Sequence, residues 1–209
     1  MIIKTFTEPP IDNNNYVIID KVTNEAALVD CSHYDKAVAE FLVDQKAKLK
    51  YILLTHGHFD HVSGIDGYKS NQDLPDDIKI FMHEDDLGQL KNINAYLSFF
   101  GIPDISEPKI DHFIKDGDVI KLGSIDIKVI HTPGHTQGSV CYLTENSLFS
   151  GDTIFRECVG RCDLEGGDFQ QIVESIENKI FTLPDNTIIY PGHGSGSNVG
   201  WEKEHNKFA

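Results

Sequence analysis

Three histidines and one aspartate lie within six residues of one another in the first half of the chain. They directly follow the apolar segment 51–54 (Tyr-Ile-Leu-Leu), which is typical of a buried strand, and Gly57 marks the end of that strand. Neutral imidazole and carboxylate are the ligands that suit zinc, iron and manganese. Four such groups are too many for one open tetrahedral ion, so the spacing favours two neighbouring ions. The four residues are His56, His58, Asp60 and His61.

Three further residues of ligand type each follow a strand-like segment and adjoin a glycine. Glycine tolerates positive φ and a close approach of the backbone, which a loop wrapped around a metal requires. Each residue alone is weak evidence, because histidine and aspartate are ordinary in surface turns. Four separate strand ends with residues of the right type are difficult to attribute to chance, so we predict a metal centre. The three residues are His135, Asp152 and His193.

The composition indicates a soluble globular protein and argues against several classes of partner. A length of 209 residues suits one substantial domain, so we expect a single domain over residues 1–209. The net charge of −15 argues against nucleic acid or an anionic membrane as a partner, since both demand a basic surface. No apolar stretch reaches transmembrane length and the N-terminus lacks a signal-peptide pattern, so we expect a cytoplasmic protein.

The four cysteines do not match a known metal or redox motif. Cys31 and Cys141 lie in apolar, strand-like segments and are expected to be buried thiols. Cys158 and Cys162 share one loop, with a spacing that is neither a zinc-ribbon nor a thioredoxin signature. Free thiols are therefore the expectation, and a disulfide or a third metal site in that loop is the alternative.

Strands followed by helices in each half of the chain predict two packed sheets with helices outside them. The predicted strands include residues 2–6, 16–20, 26–30, 51–54, 78–82, 125–130, 147–151 and 187–190. The predicted helices are residues 34–45 with Ser32 as N-cap, a helix beginning in 62–69, 84–100 and 169–181. Segment 200–209 is expected to be a short helix or an extension. Segment 12–15 is expected to be a turn.

The order of these motifs resembles the metallo-β-lactamase superfamily over nearly the whole chain. The resemblance implies an α/β fold, the four-layer αββα sandwich of that superfamily, with the metals at one edge of the sheets. Asp30 matches an additional acidic position of the superfamily, and we expect it to orient a ligand histidine rather than to bind metal. The implied ligands are His56, His58 and His135 for one ion, Asp60, His61 and His193 for the second, and Asp152 as the bridge.

Within the superfamily the chain is similar to the short type II glyoxalases, the hydroxyacylglutathione hydrolases. The segments 151–155, 159–164 and 166–169 resemble a loop of that group, and 183–187 and 190–194 resemble its C-terminal signature. The resemblance implies an enzyme that hydrolyses a glutathione-linked thioester, such as S-D-lactoylglutathione, to D-lactate and glutathione. Two divalent metal ions would hold a bridging hydroxide for this reaction, with zinc as first choice and iron or manganese as alternatives. Asp60 and Asp152 are the implied catalytic carboxylates.

Only two arginines occur in the chain, and both lie in the loop after Asp152. An anionic substrate of so acidic a protein needs local positive charge, and arginine offers a bidentate fork for a carboxylate. We expect Arg161 to contact substrate, with Arg156 as the weaker candidate. The alternative is that both pair internally, with Asp163 or Glu157. The aromatic residues of segment 84–100 belong to the core or line the acyl side of the site; they are Tyr96, Phe99 and Phe100.

The rival function is a persulfide dioxygenase-like oxidoreductase with one iron, which acts on glutathione persulfide. The resemblance favours the hydrolase, because segment 191–194 (Pro-Gly-His-Gly) differs from the pattern of the dioxygenases. Flavodiiron-type oxidases fit less well, since position 58 is His rather than Glu, and a catalytically silent scaffold would have lost ligands. Lactonase or β-lactamase activity stays open. The histidines that match no ligand position are His33, His83, His112, His131 and His205.

Overall fold

Two six-stranded sheets pack against each other and carry helices on their outer faces. This arrangement confirms the predicted four-layer αββα sandwich. The computed structural model describes residues 1–8, 11–99 and 101–209, apart from the side chain of Phe99.

The first sheet contains the strands of the first half of the chain in sequence order. They are β1 (Ile2–Glu8), β2 (Asn13–Ile19), β3 (Glu25–Val29), β4 (Lys48–Leu53), β5 (Lys79–His83) and β6 (His112–Ile114). The first three strands pair antiparallel, whereas β3 to β6 pair in parallel. The carboxyl ends of β3, β4 and β5 therefore lie at the same edge of the sheet.

The strands of the second half form the second sheet and a separate hairpin. They are β7 (Val119–Leu122), β8 (Ile125–His131), β9 (Val140–Thr144), β10 (Ser147–Gly151), the hairpin β11 (Ile154–Phe155) and β12 (Cys158–Val159), then β13 (Ile188–Pro191) and β14 (Ser197–Asn198). The order in the sheet is β14-β13-β10-β9-β8-β7. Both β8 and β10 run antiparallel to β9, and β10 is parallel to β13, so the carboxyl ends of β8, β10 and β13 also share one edge.

The helices cover the two outer faces of the sandwich. They are α1 (Lys36–Asp44), α2 (Phe59–Val62), α3 (Ile65–Ser70), α4 (Leu87–Lys91), α5 (Ile93–Phe99), α6 (Phe169–Ser175) and α7 (Val199–His205). The first five contribute to the apolar cluster on the outer face of the first sheet, and α6 and α7 to that of the second. None of the helices in the described part of the chain has the length and apolar character that a membrane-spanning segment requires.

Side chains of β2 point alternately into two apolar clusters, one on each face of the first sheet. Tyr16 and Ile18 point into the cluster between the sheets, while Val17 and Ile19 point into the cluster under the helices. All four are buried, because both faces of the strand are covered. A strand that is apolar on both faces is typical of the inner layers of such a sandwich.

The prediction of a turn over segment 12–15 holds for Asp12 alone and was wrong for the three asparagines, because Asn13–Ile19 form one strand. Asparagine is unfavourable in strands, but tertiary contacts satisfy these side chains and their backbone. Asn14 donates its backbone N–H to the carbonyl of Gly192 at 2.7 Å, and Asn15 exchanges hydrogen bonds with Ser32. Contacts with distant residues therefore override the local preference.

Two helix predictions also need correction. Segment 84–100 is divided into a 3₁₀ turn (Glu84–Asp86), α4 and α5, with a break at Asn92, and Phe100 lies outside the described residues. Helix α1 is capped by Asp35, whose carboxylate accepts from the Ala37 N–H at 2.8 Å. The hydroxyl of the predicted cap, Ser32, instead accepts a hydrogen bond from the side chain of Asn15.

We predict that Asp35→Ala lowers the free energy of unfolding by about 1 kcal/mol, since the substitution removes the only side-chain oxygen shown to cap the start of α1. Urea denaturation measures the change. Asp44→Ala removes the same charge at the exposed end of the same helix, where a carboxylate opposes the helix dipole, and should cost nothing. Equal losses in both variants would contradict the assignment of Asp35 as the cap.

Candidate metal centre

The seven predicted ligands come together at the edge where the strand ends of both sheets meet. The loop after β4 carries His56 and His58, and α2 carries Asp60 and His61. The other three residues follow β8, β10 and β13, and are His135, Asp152 and His193. Ligand atoms of these residues form three overlapping groups that could hold a metal ion, each with its atoms within 4.8 Å of one another.

The first group consists of three buried imidazoles. The Nε2 of His56, the Nδ1 of His58 and the Nε2 of His135 lie 3.0–3.2 Å from one another. His135 donates its Nδ1–H to the carbonyl of Arg161 at 2.7 Å, and His56 Nδ1 lies 3.1 Å from the Thr55 hydroxyl. These outer bonds leave lone pairs on both Nε2 atoms, 3.2 Å apart and facing each other. A cation between the rings would convert this repulsion into attraction.

The second group combines one carboxylate with two imidazoles. The Oδ2 of Asp60 lies 3.3 Å from the Nε2 of His61 and 3.2 Å from the Nε2 of His193. The outer nitrogens of these histidines bind Asp30 at 2.8 Å and the carbonyl of Ile11 at 3.2 Å. Their Nε2 atoms are therefore directed at the site.

Asp152 lies between the two groups. Its Oδ2 is 3.7 Å from the Nε2 of His135 and 3.5 Å from the Nε2 of His193, so one oxygen faces one member of each group. Its Oδ1 is buried and has no hydrogen-bond partner among the described residues, although it lies 3.5 Å from His61. A Cβ at Gly192 would lie only 2.2 Å from that oxygen, so the glycine makes room for the carboxylate. A buried, unpaired carboxylate oxygen among imidazoles fits a site that binds cations.

Burial sets the charge state of the first group. It lowers the pKa of His58 to about 3 and of His135 to about 4, and neighbouring imidazoles add to the effect. The pKa of His56 lies well below its usual value for the same reasons. All three rings are therefore neutral at physiological pH, which is the form that binds metal ions.

The second group is charged when no cation is present. Burial alone would suppress the charges of Asp60 and His61, but the attraction between them outweighs it. The pKa of Asp60 lies well below its usual value and that of His61 well above. Burial raises the pKa of Asp152, the carboxylate that lies between both groups. The two halves of the site therefore differ in charge, although Asp152 lies between them.

Asp30 lies behind the histidines and forms a hydrogen bond with one of them. Its carboxylate accepts hydrogen bonds from His61 Nδ1, from the backbone N–H of Thr55 and from the Thr55 hydroxyl, each at 2.8 Å. The Thr55 hydroxyl is in turn the partner of His56. One carboxylate at the end of β3 thus acts on one imidazole of each group.

Asp86 holds the other side of the site and is absent from the residues predicted from sequence. Its buried carboxylate accepts from the N–H of Gly57, the N–H of Gly138 and the hydroxyl of Thr136, at 2.7–2.8 Å. It therefore ties the backbone between His56 and His58 to the loop after His135. Its place just after β5, beside the ends of β3 and β4, is the signal that could have identified it.

Asn13 is the second residue absent from the predicted set. Its side-chain nitrogen lies 2.8 Å from His61 Nε2. Its side-chain oxygen is buried and has no hydrogen-bond partner in the described part of the chain. The contact of Asn13 with His61 was not predicted, because a turn at the surface would not reach the centre.

A cavity of about 830 Å³ opens beside the candidate ligands. Arg161 lines it, but its guanidinium forms a bidentate pair with Asp163 at 2.8 Å, the internal pairing considered above as the alternative. Arg156 is not among the residues that line the cavity; its guanidinium lies 4.8 Å from the ring of Trp201. Tyr96 contributes to the wall, whereas the side chain of Phe99 and all of Phe100 lie outside the described residues.

The four cysteines are free thiols. Cys31 and Cys141 are buried, as expected. Cys158 is exposed and lines the cavity, and Cys162 is partly buried.

One further group with ligand-type residues contains His83, Asp85 and His131. The two imidazole rings are stacked, with centroids 4.2 Å apart and planes 8° from parallel. Lone pairs of ring nitrogens lie in the ring plane, so stacked rings cannot direct them at one ion. The pair instead joins the end of β5 to the end of β8.

Comparison with known proteins gives one family and relatives over the full length. The model of the metallo-beta-lactamase superfamily matches residues 9–193. The hydroxyacylglutathione hydrolase GloC of Haemophilus influenzae is 31% identical over 187 residues, which cover 88% of this chain and 86% of that protein.

Two solved structures are similar over nearly their whole length. BLEG-1 B3 metallo-beta-lactamase superposes with a TM-score of 0.88 and 34% identity, covering 99% of each chain. TTHA1623 in a di-iron-bound form superposes with a TM-score of 0.86 and 28% identity, covering 99% of this chain and 100% of that one.

We predict that Asp86→Asn lowers the affinity of the three-histidine group for metal by about 10–100-fold, as is usual when a residue that supports metal ligands is changed. An amide cannot accept all three hydrogen bonds, so the loops that carry His56, His58 and His135 lose their common anchor. Equilibrium dialysis against zinc followed by elemental analysis measures the loss, and circular dichroism checks the fold.

The matched control is Asp85→Asn, which removes the neighbouring exposed carboxylate and should keep wild-type metal content. Full occupancy of both ions in a folded Asp86→Asn protein would show that Asp86 does not support the centre.

Proposed function

The chain belongs to the metallo-β-lactamase superfamily, and on that premise we propose that it is a metal-dependent hydrolase of thioesters such as S-D-lactoylglutathione. The position of Asp152 between two groups of ligand atoms carries the proposal, because it gives a bridge to two divalent ions. The first ion would be held by His56, His58 and His135, and the second by Asp60, His61 and His193. Zinc, iron and manganese all suit this donor set.

Two divalent ions bound in this way supply an activated water and a Lewis acid for the thioester carbonyl. The protein contributes the rest. Asp30 fixes His61 through a buried hydrogen bond, and Asp86 fixes the loops of the first group. The cavity admits the substrate beside His58, Asp152 and His193. A thiolate leaves readily without a general acid, so no further catalytic side chain is required.

The relatives support the class of reaction to different degrees. GloC is named as a hydroxyacylglutathione hydrolase, which favours a thioester. The di-iron form of TTHA1623 favours a site for two ions. BLEG-1 is named as a B3 metallo-beta-lactamase, so a β-lactam belongs among the compounds tested.

We predict that purified protein hydrolyses S-D-lactoylglutathione, that chelation abolishes the activity, and that zinc, iron or manganese restores it. Release of thiol, followed with a thiol-reactive dye, measures the rate. A panel of acyl thioesters, a lactone and a β-lactam defines the preference. Absence of metal-dependent turnover on every thioester would refute the proposal.

We further predict that Asp152→Asn lowers kcat/KM by at least about a hundredfold, because the bridge loses its charge and one acceptor oxygen. Metal content should fall in parallel, whereas the fold should persist. A variant that retains both ions and wild-type turnover would exclude Asp152 as the bridge.

Metal content also separates this hydrolase from a persulfide dioxygenase. The second group gives Asp60, His61 and His193 a ligand role that an enzyme with a single iron leaves unused. We expect two ions per chain by elemental analysis of the protein as isolated. One iron per chain, together with oxygen uptake on glutathione persulfide, would favour the dioxygenase.

A further inference from the structure

The wall of the cavity beside the metal centre is mainly apolar. Phe59, Tyr96, Phe155, Val159 and Leu164 contribute to it together with the candidate ligands. Among the described residues that line the cavity, Arg161 is the one with a lysine or arginine side chain. Any recognition of a substrate carboxylate by a permanent cation in the wall therefore falls to Arg161.

The guanidinium of Arg161 is already occupied. Its Nε donates to Oδ1 of Asp163 and its Nη2 to Oδ2, both at 2.8 Å, which is the fork-to-fork geometry of a strong pair. The hydrogen bond from Arg161 lowers the pKa of Asp163 to about 2, so the carboxylate stays ionised at neutral pH. The pair therefore presents no net charge at the cavity.

The backbone keeps the two residues close. The carbonyl of Arg161 accepts from His135, and a Cβ at Gly167 would lie 2.4 Å from the carbonyl oxygen of Cys162. The loop is thus fixed at its metal side and tightly packed around Asp163. The side chains of Arg161 and Asp163 remain 62% and 68% exposed. What Arg161 binds therefore depends on whether another anion replaces Asp163, and not on burial of the pair.

An anionic substrate gains little from this arrangement. Breaking an exposed pair costs only about 0–1 kcal/mol. A substrate carboxylate would, however, merely replace the carboxylate of Asp163 as the partner of Arg161. Asp163 would then stand unpaired beside the substrate, in a chain with a net charge of −15. The exchange therefore offers no net electrostatic attraction to a negatively charged group.

We propose that Asp163 is a specificity-determining residue that withholds Arg161 from anionic thiol carriers. The site consequently recognises the acyl group and the thioester, and handles uncharged carriers as well as glutathione. The inference rests on the proposed thioester hydrolysis and adds the charge class of its substrates. Asp163 acts through Arg161 and is not itself part of the cavity wall.

The experiment compares two lactoyl thioesters that differ in the charge of the carrier. S-D-lactoylglutathione carries two carboxylates and one ammonium, whereas S-D-lactoyl-N-acetylcysteamine is uncharged. Wild-type protein should show kcat/KM values for the two within about threefold, and neither should depend strongly on ionic strength. Asp163→Asn frees the guanidinium, so KM for the glutathione thioester should fall about three- to tenfold while kcat stays constant.

Three features distinguish this effect from a general change of the loop. KM for the uncharged thioester should not change in Asp163→Asn, and added salt should cancel the gain for the glutathione thioester. In the double variant Arg161→Ala/Asp163→Asn the gain should vanish. The matched control is Asp185→Asn, which removes the same charge from an exposed pair with Lys203 at 2.6 Å, away from the cavity wall, and should leave both KM values unchanged.

A single result would overturn the inference most directly. If Arg161→Ala alone raises KM for the glutathione thioester about tenfold and spares the uncharged one, Arg161 already binds the anion and Asp163 does not mask it. An unchanged KM in Asp163→Asn would overturn it as well. Binding of S-hexylglutathione, measured by calorimetry, tests the same point without turnover. Tighter binding by Asp163→Asn would support the inference even if no thioester is hydrolysed, so the two proposals can fail separately.

Discussion

The carboxylate of Asp152 is the constraint around which the molecule is organised. It is buried among imidazoles with one oxygen unpaired, a situation that an ordinary protein interior avoids because desolvation of a charge is costly. The parallel strands make it possible, since they deliver polar side chains of both sheets to one edge. Glycine at position 192 leaves the room that the carboxylate needs. Without a cation the edge would be a destabilising feature of the fold.

Two carboxylates outside the candidate centre, Asp30 and Asp86, hold its residues in position. Asp30 acts on His61 directly and on His56 through Thr55. Asp86 instead fixes the backbone on either side of the rings. Both carboxylates follow strands of the first sheet. Attachment to these strands thus restricts the movement of the candidate ligand side chains.

Much of this arrangement could be predicted from the sequence, because the ligands are local signals at strand ends. The cluster from His56 to His61 needs no tertiary information, and the apolar segment before it fixes its place at a sheet edge. Asn13 could not be found in this way, and Asp86 only by its place just after β5. Their roles depend on partners 29–52 residues distant, and their own neighbourhoods indicate a turn and a helix. For Arg161 the sequence left two alternatives open, contact with substrate and an internal ion pair. Composition alone could not decide between them, because the pairing depends on the path of one loop.

Ile11 and the start of β2 lie beside the candidate metal centre and meet the loop that carries His193. The carbonyl of Ile11 accepts from His193, 182 residues later, and Asn14 binds the backbone beside it. During synthesis on the ribosome, the segment around Ile11 can therefore form these contacts only after residue 193 has emerged. A nascent chain could present the early histidines but not the complete cage. Completion of the candidate ligand set is thus a late event of synthesis. Met1 lies at the other end of β1, where Ile2 pairs with Ile19, so a tag attached there would extend from the sheet edge away from the centre.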